Sequence, residues 1–245
     1  CNYMQAIEGV LDAARVQALK ESGAIGPDDP MGEEVAHSVK VENTDYGLLV
    51  GTGLESPEGD SALHVTHWMM PFYTTTVIDR SGIFEGVAWV PIDNQSTMAF
   101  PVTYCPKKAL SKNLLTQIRQ GKRIHPKLIE DSYKRKLNRS NSFLSPGQER
   151  TSDFASRFTT AFEMALACQE SMGSIVDRTH EMLSANDIAI ENARTKLMQA
   201  AVDLMEGTIP VIINRGDRYR VRSYRSKKSY PLDTIEITKG VTPDV

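Results

Sequence analysis

The stretch that decides the fold is "SANDIAIENARTKLMQAAVDLMEG", residues 184–207. Ser184 and Asp187 have the spacing of a helix-capping pair, while Gly207 and Pro210 have the form of a helix end. Between these signals apolar residues recur every three or four positions, which predicts one helix of about 20 residues, roughly 30 Å long. The predicted apolar face consists of Ile188, Ala193, Leu197, Ala200, Ala201 and Leu204. A face of this length needs a sheet to pack against.

The middle of the chain supplies that sheet. Residues 62–78, 84–92 and 96–104 are rich in β-branched and aromatic side chains, and short polar turns separate them. They predict three consecutive strands in an antiparallel meander. Residues 21–60 are rich in Gly, Pro, Asp and Glu and are predicted as loops around one strand-like piece, "YGLLVGT" at 46–52. The predicted fold class is α+β, with an antiparallel sheet wrapped on a long C-terminal helix.

The length of 245 residues suits one domain, and we predict a single domain over residues 1–245. Apolar spacing predicts a first helix over 4–20. Residues 106–150 form a long polar excursion, which in a compact domain is usually functional or an interface arm. Residues 211–245 are predicted to be a C-terminal tail.

Charge, cysteines and hydropathy exclude several classes of protein. The net charge of −3 argues against nucleic acid as a partner. The basic stretch "RYRVRSYRSKK", residues 218–228, is better explained as a charged edge strand with Arg218, Arg220 and Arg222 on one face. No signal peptide and no apolar run of ~20 residues is visible, so no membrane is expected. The three cysteines, widely spaced and without a disulfide pattern, indicate a reducing cytoplasm. They are Cys1, Cys105 and Cys168.

No motif in the chain indicates a catalyst by itself. His64 and His67 are three apart in a predicted strand, so they point to opposite faces and cannot hold one metal ion. They are interpreted as ordinary sheet histidines, and His37, His125 and His180 are isolated. The sequence has no G-x-S-x-G, G-x-G-x-x-G or P-loop pattern.

Several blocks nevertheless resemble one family. They resemble segments of Rieske non-haem iron ring-hydroxylating oxygenases. The blocks are "CNYMQAIEGVLD" at 1–12, "LNRSNSFLSPGQER" at 137–150, and "QESMGSIVDRTHEML" at 169–183 followed by "NDIAI". The likeness is to the phthalate-dioxygenase-like branch. The matching blocks occur in the same order as in the family, from residue 1 to about residue 210. The matching positions in the first block are Asn2, Gln5, Glu8, Gly9 and Asp12.

This resemblance implies the C-terminal catalytic domain of an oxygenase α subunit, with the helix-grip (START/Bet v 1-like) fold. Members carry a [2Fe–2S] cluster on a preceding Rieske domain, and this chain begins after that domain would end. We therefore expect no cluster of its own. Members assemble as trimers or trimer-based hexamers, which implies a homo-oligomer or a hetero-oligomer with an active α subunit.

The resemblance also places the iron ligands. The family motif D-x-x-H-x-x-x-x-H puts its bridging aspartate, which carries electrons from a neighbouring cluster, on Asp12 and its two histidines on Arg15 and Lys20. The later carboxylate falls on Ala165, with Glu163 two residues earlier. A guanidinium has no lone pair to offer a metal, so no metal and no cofactor are expected. Arg15 and Lys20 would instead balance the charges of Asp12 and Glu163.

Three functions remain open. The leading hypothesis is a pseudoenzyme: a scaffold or accessory subunit of an assembly in aromatic compound catabolism. The second is an active ring-hydroxylating oxygenase or demethylase with Fe(II) and a partner's [2Fe–2S] centre. The third is a binding module for an anionic aromatic ligand, such as an aromatic carboxylate, with Arg15, Lys20 and Glu163 as binding residues.

Overall fold

The computed structural model describes residues 1–12, 35–55, 61–76, 82–144, 157–221 and 223–226. The α-helices are α1 (Tyr3–Leu11), α2 (Lys112–Arg119), α3 (Ala161–Ser171) and α4 (Ile188–Met205). The strands are β1 (Val35–Asn43), β2 (Gly47–Glu55), β3 (Ser61–Met69), β4 (Tyr73–Thr76), β5 (Phe84–Pro91), β6 (Thr97–Tyr104) and β7 (Tyr224–Ser226). No helix in these ranges is both long and apolar enough to cross a membrane.

The strands form one antiparallel sheet, as the sequence predicts. Strands β1 to β6 pair in chain order, and β7 pairs with the first part of β3 beside β4. The predicted strand over 62–78 is two strands, because the chain turns at Met70–Pro71 between β3 and β4. The result is an α+β fold consistent with a helix grip.

Strand β1 was not expected, because residues 35–43 lie inside the segment predicted as loops. Val39 and Val41 alternate with polar residues and pack against the main core from its edge. The Gly- and Pro-rich stretches on either side obscured this alternation of apolar and polar residues, which is typical of a strand. The predicted piece at 46–52 is the first part of β2, whose residues are mostly buried.

Helix α4 packs on β1 and β2 as the long C-terminal helix of the grip. Its buried residues are Ala189, Ile190 and Ala193. The predicted face was wrong at Ile188, Ala201 and Leu204, which are exposed. The predicted capping box at Ser184 and Asp187 is confirmed, but it closes a 3-10 turn over Ala185–Asp187. Tertiary packing therefore selected a face rotated from the one that periodicity suggested.

The end of α4 also agrees with the sequence. Gly207 has a φ of +85°, and the N–H of Thr208 donates to the Asp203 carbonyl at 2.7 Å. Such a left-handed residue after the last turn is the usual helix stop. Glycine suits this position because a side chain would be strained there.

The basic stretch at 218–228 does not form one strand. A 3-10 turn covers Gly216–Tyr219, Arg220 follows it, and β7 starts only at Tyr224. Arg218 and Arg220 therefore do not share a strand face, and Arg222 lies outside the described residues. The excursion at 106–150 contains α2, which starts at the capping residue Ser111. The first helix begins at Tyr3, and its predicted part beyond residue 12 is likewise not described.

Candidate functional site

Helix α1 carries the first block of the family resemblance, and Gln5 connects it to the chain that follows α3. The Gln5 side-chain Nε2 donates to the carbonyls of Gln169 (2.6 Å) and Gly173 (3.2 Å). Its Oε1 accepts the N–H of Val176 at 3.0 Å. Gln5 is fully buried, so these bonds satisfy groups that would otherwise be costly. The block at 169–183 is thereby held against the block at 1–12.

Gly9 allows α1 and α3 to approach closely. A Cβ at this position would lie 1.2 Å from Gln169 Nε2 and 2.3 Å from Gln169 Cδ. Since Gln169 is buried, its side chain would have to repack to admit a methyl group at this position. The glycine is required by packing, since its φ is not in the left-handed region.

Four charged side chains join α1 to α4 in a ring of ion pairs. Arg178 Nη2 lies 2.8 Å from Glu8 Oε2, and Arg194 Nε lies 2.7 Å from Glu8 Oε1. Glu181 closes the ring by accepting from Arg178 Nη1 at 2.9 Å and Arg194 Nη1 at 2.6 Å. The hydrogen bonds from Arg194 hold the pKa of Glu181 below its usual value. This ring fixes the position of α1 on the domain.

The predicted iron-site residues are only partly described. Asp12 follows the last turn of α1, and its N–H donates to the Glu8 carbonyl at 2.9 Å. Arg15 and Lys20 lie outside the described residues. Their assignment as binding residues, and that of Asp12 as the bridging residue, stay predictions.

Glu163 and Ala165 lie on α3 in different surroundings. Glu163 is buried, and its Oε2 accepts from the N–H of Thr159 at 3.0 Å and from its hydroxyl at 3.1 Å. Ala165 is also buried, in an apolar cluster with Phe143 and Phe158. The position aligned with the third iron ligand therefore presents a methyl group to an apolar neighbourhood.

A cavity of about 1340 Å³ lies beside α3, between β5, β6 and the segment that follows α2. Its volume exceeds the usual range for small-molecule sites, roughly 300–1,000 Å³. The Trp89 and Phe162 rings line it, with centroids 6.3 Å apart. Further apolar lining comes from Val87, Met98, Ile124 and Leu166. Neither Asp12 nor Glu163 is among the described residues that line it.

The cavity-lining residue His125 is the end of a polar chain of side chains whose other members do not line the cavity. Thr103 Oγ1 donates to Glu85 Oε1 at 3.0 Å and lies 2.8 Å from His125 Nε2. Arg123 Nε donates to the same Glu85 oxygen. Burial, and after it the charge of Arg123, lower the pKa of His125. His125 is therefore neutral near pH 7 and can accept a hydrogen bond or a proton from a bound molecule.

Sequence reasoning missed this chain, because His125 is isolated in the sequence. No local sequence signal was available, because the pairing of Glu85 with Thr103 across β5 and β6 follows from the strand register. His67 is a buried sheet histidine whose Nδ1 lies 2.8 Å from the Tyr46 hydroxyl. In the described ranges no group of three or more His, Cys, Asp or Glu side chains could hold a metal ion.

Residues 1–229 match the family model described as LigXa C-terminal domain-like. The 3-chlorobenzoate-3,4-dioxygenase oxygenase subunit of Comamonas testosteroni is 25% identical over 259 residues. That alignment covers 95% of this chain and 59% of the relative. The chain thus spans about three fifths of the length of the curated relative it matches.

Proposed function

Since the chain belongs to the LigXa C-terminal domain-like family, a family of Rieske-type ring-hydroxylating oxygenase C-terminal domains, we propose that it is a non-catalytic homologue. Its role would be that of a scaffold or accessory subunit in an aromatic-ring oxygenase assembly. The apolar surroundings of Ala165 are the observation that carries the proposal.

The residues present do not fit a ferrous ion at the family position. A facial site needs two imidazoles and one carboxylate, with open positions for dioxygen and substrate. Ala165 offers no donor atom, and the Glu163 carboxylate already accepts two hydrogen bonds from Thr159. In the sequence, Arg15 and Lys20 stand at the two histidine positions. No reaction step through iron is derived for this chain.

Side-chain contacts of described residues hold the frame that carries the substituted positions. Gln5 holds α1 against the segment after α3, and the ring around Glu8 holds it against α4. Gln5, Glu8 and Arg178 belong to the resembling blocks, whereas Arg194 lies four residues beyond the last of them. An accessory subunit would need this frame, because it would have to present the surface of its catalytic relatives. We propose assembly as a trimer-based homo-oligomer or beside an active α subunit.

Iron content tests the proposal. The protein would be purified anaerobically, incubated with Fe²⁺, desalted and measured by elemental analysis. We expect iron well below one atom per chain. About one atom per chain would overturn the proposal, and NADH-dependent oxygen uptake with a reductase and ferredoxin would then be measured.

The assembly needs a separate measurement. Light scattering on the purified protein would give its mass, both alone and mixed with a catalytic α subunit of the family. A trimer, or a stable mixed complex, is the expected result. A monomer that binds no α subunit would contradict the accessory role, whatever the iron content.

The cavity favours a second candidate function, the binding of an aromatic ligand. Its aromatic and aliphatic lining suits a ring, and Arg119, Lys127 and Lys134 at its border add positive charge suited to an acidic group. Calorimetric titration with benzoate and phthalate tests this. Saturable binding is expected, and Arg15→Ala or Lys20→Ala would weaken it if those side chains also face the ligand. No binding of either compound would contradict the anionic-ligand hypothesis.

A further inference from the structure

His125 is held on the cavity wall by two strands. Strands β5 and β6 place Glu85 opposite Thr103, and the Thr103 hydroxyl lies between Glu85 Oε1 at 3.0 Å and His125 Nε2 at 2.8 Å. Glu85 is buried and Arg123 is paired with it, so the far end of this chain is fixed. His125 itself is half-buried and lines the cavity.

The available hydrogens decide the tautomer of His125. As a carboxylate paired with Arg123, Glu85 accepts hydrogen bonds and has none to donate. Thr103 therefore donates its single hydroxyl hydrogen to Glu85 Oε1. His125 Nε2 must then be the donor to Thr103 Oγ1, since two lone pairs would otherwise face each other. In the neutral ring this leaves a lone pair on Nδ1.

The Nδ1 atom of His125 has no hydrogen-bond partner among the described residues. Neutrality of the ring agrees with its surroundings, because burial and the charge of Arg123 both lower the pKa of His125. The cavity wall thus offers an acceptor whose orientation is set by Thr103 and Glu85. Its neighbours on the wall include the Trp89 and Phe162 rings.

We propose that the cavity binds an aromatic molecule through a hydroxyl group that donates a hydrogen bond to His125 Nδ1. Thr103 and Glu85 are positioning residues that hold the accepting tautomer. A carboxylate cannot replace the hydroxyl at this point, because it would present lone pairs to a lone pair. The inference rests on the ligand-binding candidate and is independent of whether the chain binds iron.

A pair of matched probes tests this proposal. 2-Naphthol and 2-methoxynaphthalene share the same rings, but only the first can donate a hydrogen bond. Their affinities would be measured by calorimetry and by quenching of tryptophan fluorescence. We expect 2-naphthol to bind about 10-fold more tightly, the size expected for one neutral hydrogen bond. In His125→Phe the two probes should bind equally, because the acceptor for the 2-naphthol hydroxyl is gone.

Thr103→Val provides a second variant that keeps the imidazole. It removes the acceptor for Nε2–H, so the ring loses its fixed tautomer and the preference for 2-naphthol should fall. A direct readout is the ¹⁵N spectrum of the unligated wild type, which should show His125 protonated at Nε2. A purely structural role for His125 would not predict the probe preference or its loss in Thr103→Val.

Each outcome has a defined meaning. Equal binding of both probes to the wild type, or a preference that survives in His125→Phe, overturns the assignment of His125 while leaving the ligand-binding candidate standing. Protonation at Nδ1 instead of Nε2 overturns it as well. If neither probe binds, the cavity is not an aromatic site and both ideas fail together. Iron content, measured separately, affects neither result.

Discussion

Glu8 on α1 and Arg194 on α4 are 186 positions apart in the chain, yet Arg194 Nε lies 2.7 Å from Glu8 Oε1. The Glu8 side chain is 10% exposed and that of Arg194 is 22% exposed. A pair this deep loses little to solvent screening. Removing Arg194 takes away one of the two arginine partners of the Glu8 carboxylate and leaves Arg178 as the other. The pair therefore matters for holding α1 on the domain.

Replacing Arg194 with methionine should reduce the free energy of unfolding by about 2 kcal/mol, because Glu8 and Glu181 each lose one charged hydrogen-bond partner and keep only Arg178. Urea unfolding followed by circular dichroism measures this change. The matched control is Arg218→Met, which removes a surface pair with Asp45 whose side chains are both nearly half exposed. That control should change stability by no more than about 1 kcal/mol. Equal effects of the two variants would contradict the structural importance of the ring.

The same ring predicts a pH dependence. In the folded protein, hydrogen bonds from Arg194 lower the pKa of the Glu181 carboxyl below its ordinary value of 4.5. Its stabilising contribution is thus fully present above about pH 4.5 and is lost as the pH falls through the lowered folded pKa. The urea midpoint should drop more steeply between pH 5.5 and pH 3 in the wild type than in Glu181→Gln. Parallel curves would show that Glu181 contributes nothing to acid sensitivity.

Gly9→Ala should destabilise the protein by about 1–3 kcal/mol, because the new methyl group overlaps the buried Gln169 side chain. In an open helix the same change would stabilise by about 1 kcal/mol, so the sign is diagnostic. Gly216→Ala is the control, since nothing lies within 4 Å of its added Cβ. Thermal unfolding of both variants gives the comparison. A Gly9→Ala protein as stable as the wild type would mean that α1 and α3 are farther apart.

The double variant with Gln169→Ala separates overlap from other causes. Shortening Gln169 makes room for the methyl group, so the two substitutions should couple and their costs should not add. Simple additivity would indicate that Gly9→Ala acts through something other than Gln169.

Ala165→Asp should destabilise the metal-free protein by about 3 kcal/mol, because a carboxylate would enter the apolar cluster with Phe143 and Phe158. Cys168→Asp on the same helix is the control, and its exposed position should limit the effect to about 0.5 kcal/mol. Chemical denaturation at pH 7 measures both. An Ala165→Asp protein of wild-type stability would mean that the site is open to water.

Restoring all three ligands should restore metal binding. The variant Arg15→His, Lys20→His, Ala165→Asp is expected to bind detectable Fe²⁺ and to regain stability when the ion is added. Elemental analysis and thermal unfolding with and without Fe²⁺ provide the measurements, with Ala165→Asp alone as the control. If the triple variant stays free of iron, the alignment of the site with these positions is wrong.

Local patterns in the sequence determined most of the architecture. Runs of β-branched and aromatic residues between short polar turns predicted the meander, and the Ser184–Asp187 box and Gly207 predicted both ends of the long helical segment. These features depend on hydrogen bonds and dihedral angles within a few residues, so a short stretch is sufficient to specify them. Local patterns also caused strand β1 to be missed, because the Gly- and Pro-rich residues on either side of it are typical of loops.

Family blocks in the sequence also indicated which frame residues matter, including Gln5, Glu8 and Gly9, but not why. The tertiary structure supplied the partners: Gln169 for the glycine and Arg194 for the glutamate. It also placed Ala165 in an apolar cluster with Phe143 and Phe158. Substitutions at the ligand positions were visible in the sequence, whereas their surroundings were not.

Only the tertiary structure decided the cavity and the polar chain that ends there at His125. Glu85, Thr103 and His125 are separated by 18 and 22 residues, and no local rule connects them. Strand register and the path of the chain after α2 bring them together, and both depend on packing across the whole domain. The exposed rather than buried position of Ile188 has the same cause, because the rotation of α4 is set by the sheet beneath it. Sequence periodicity determines that a helix has an apolar face, and packing determines which residues finally occupy it.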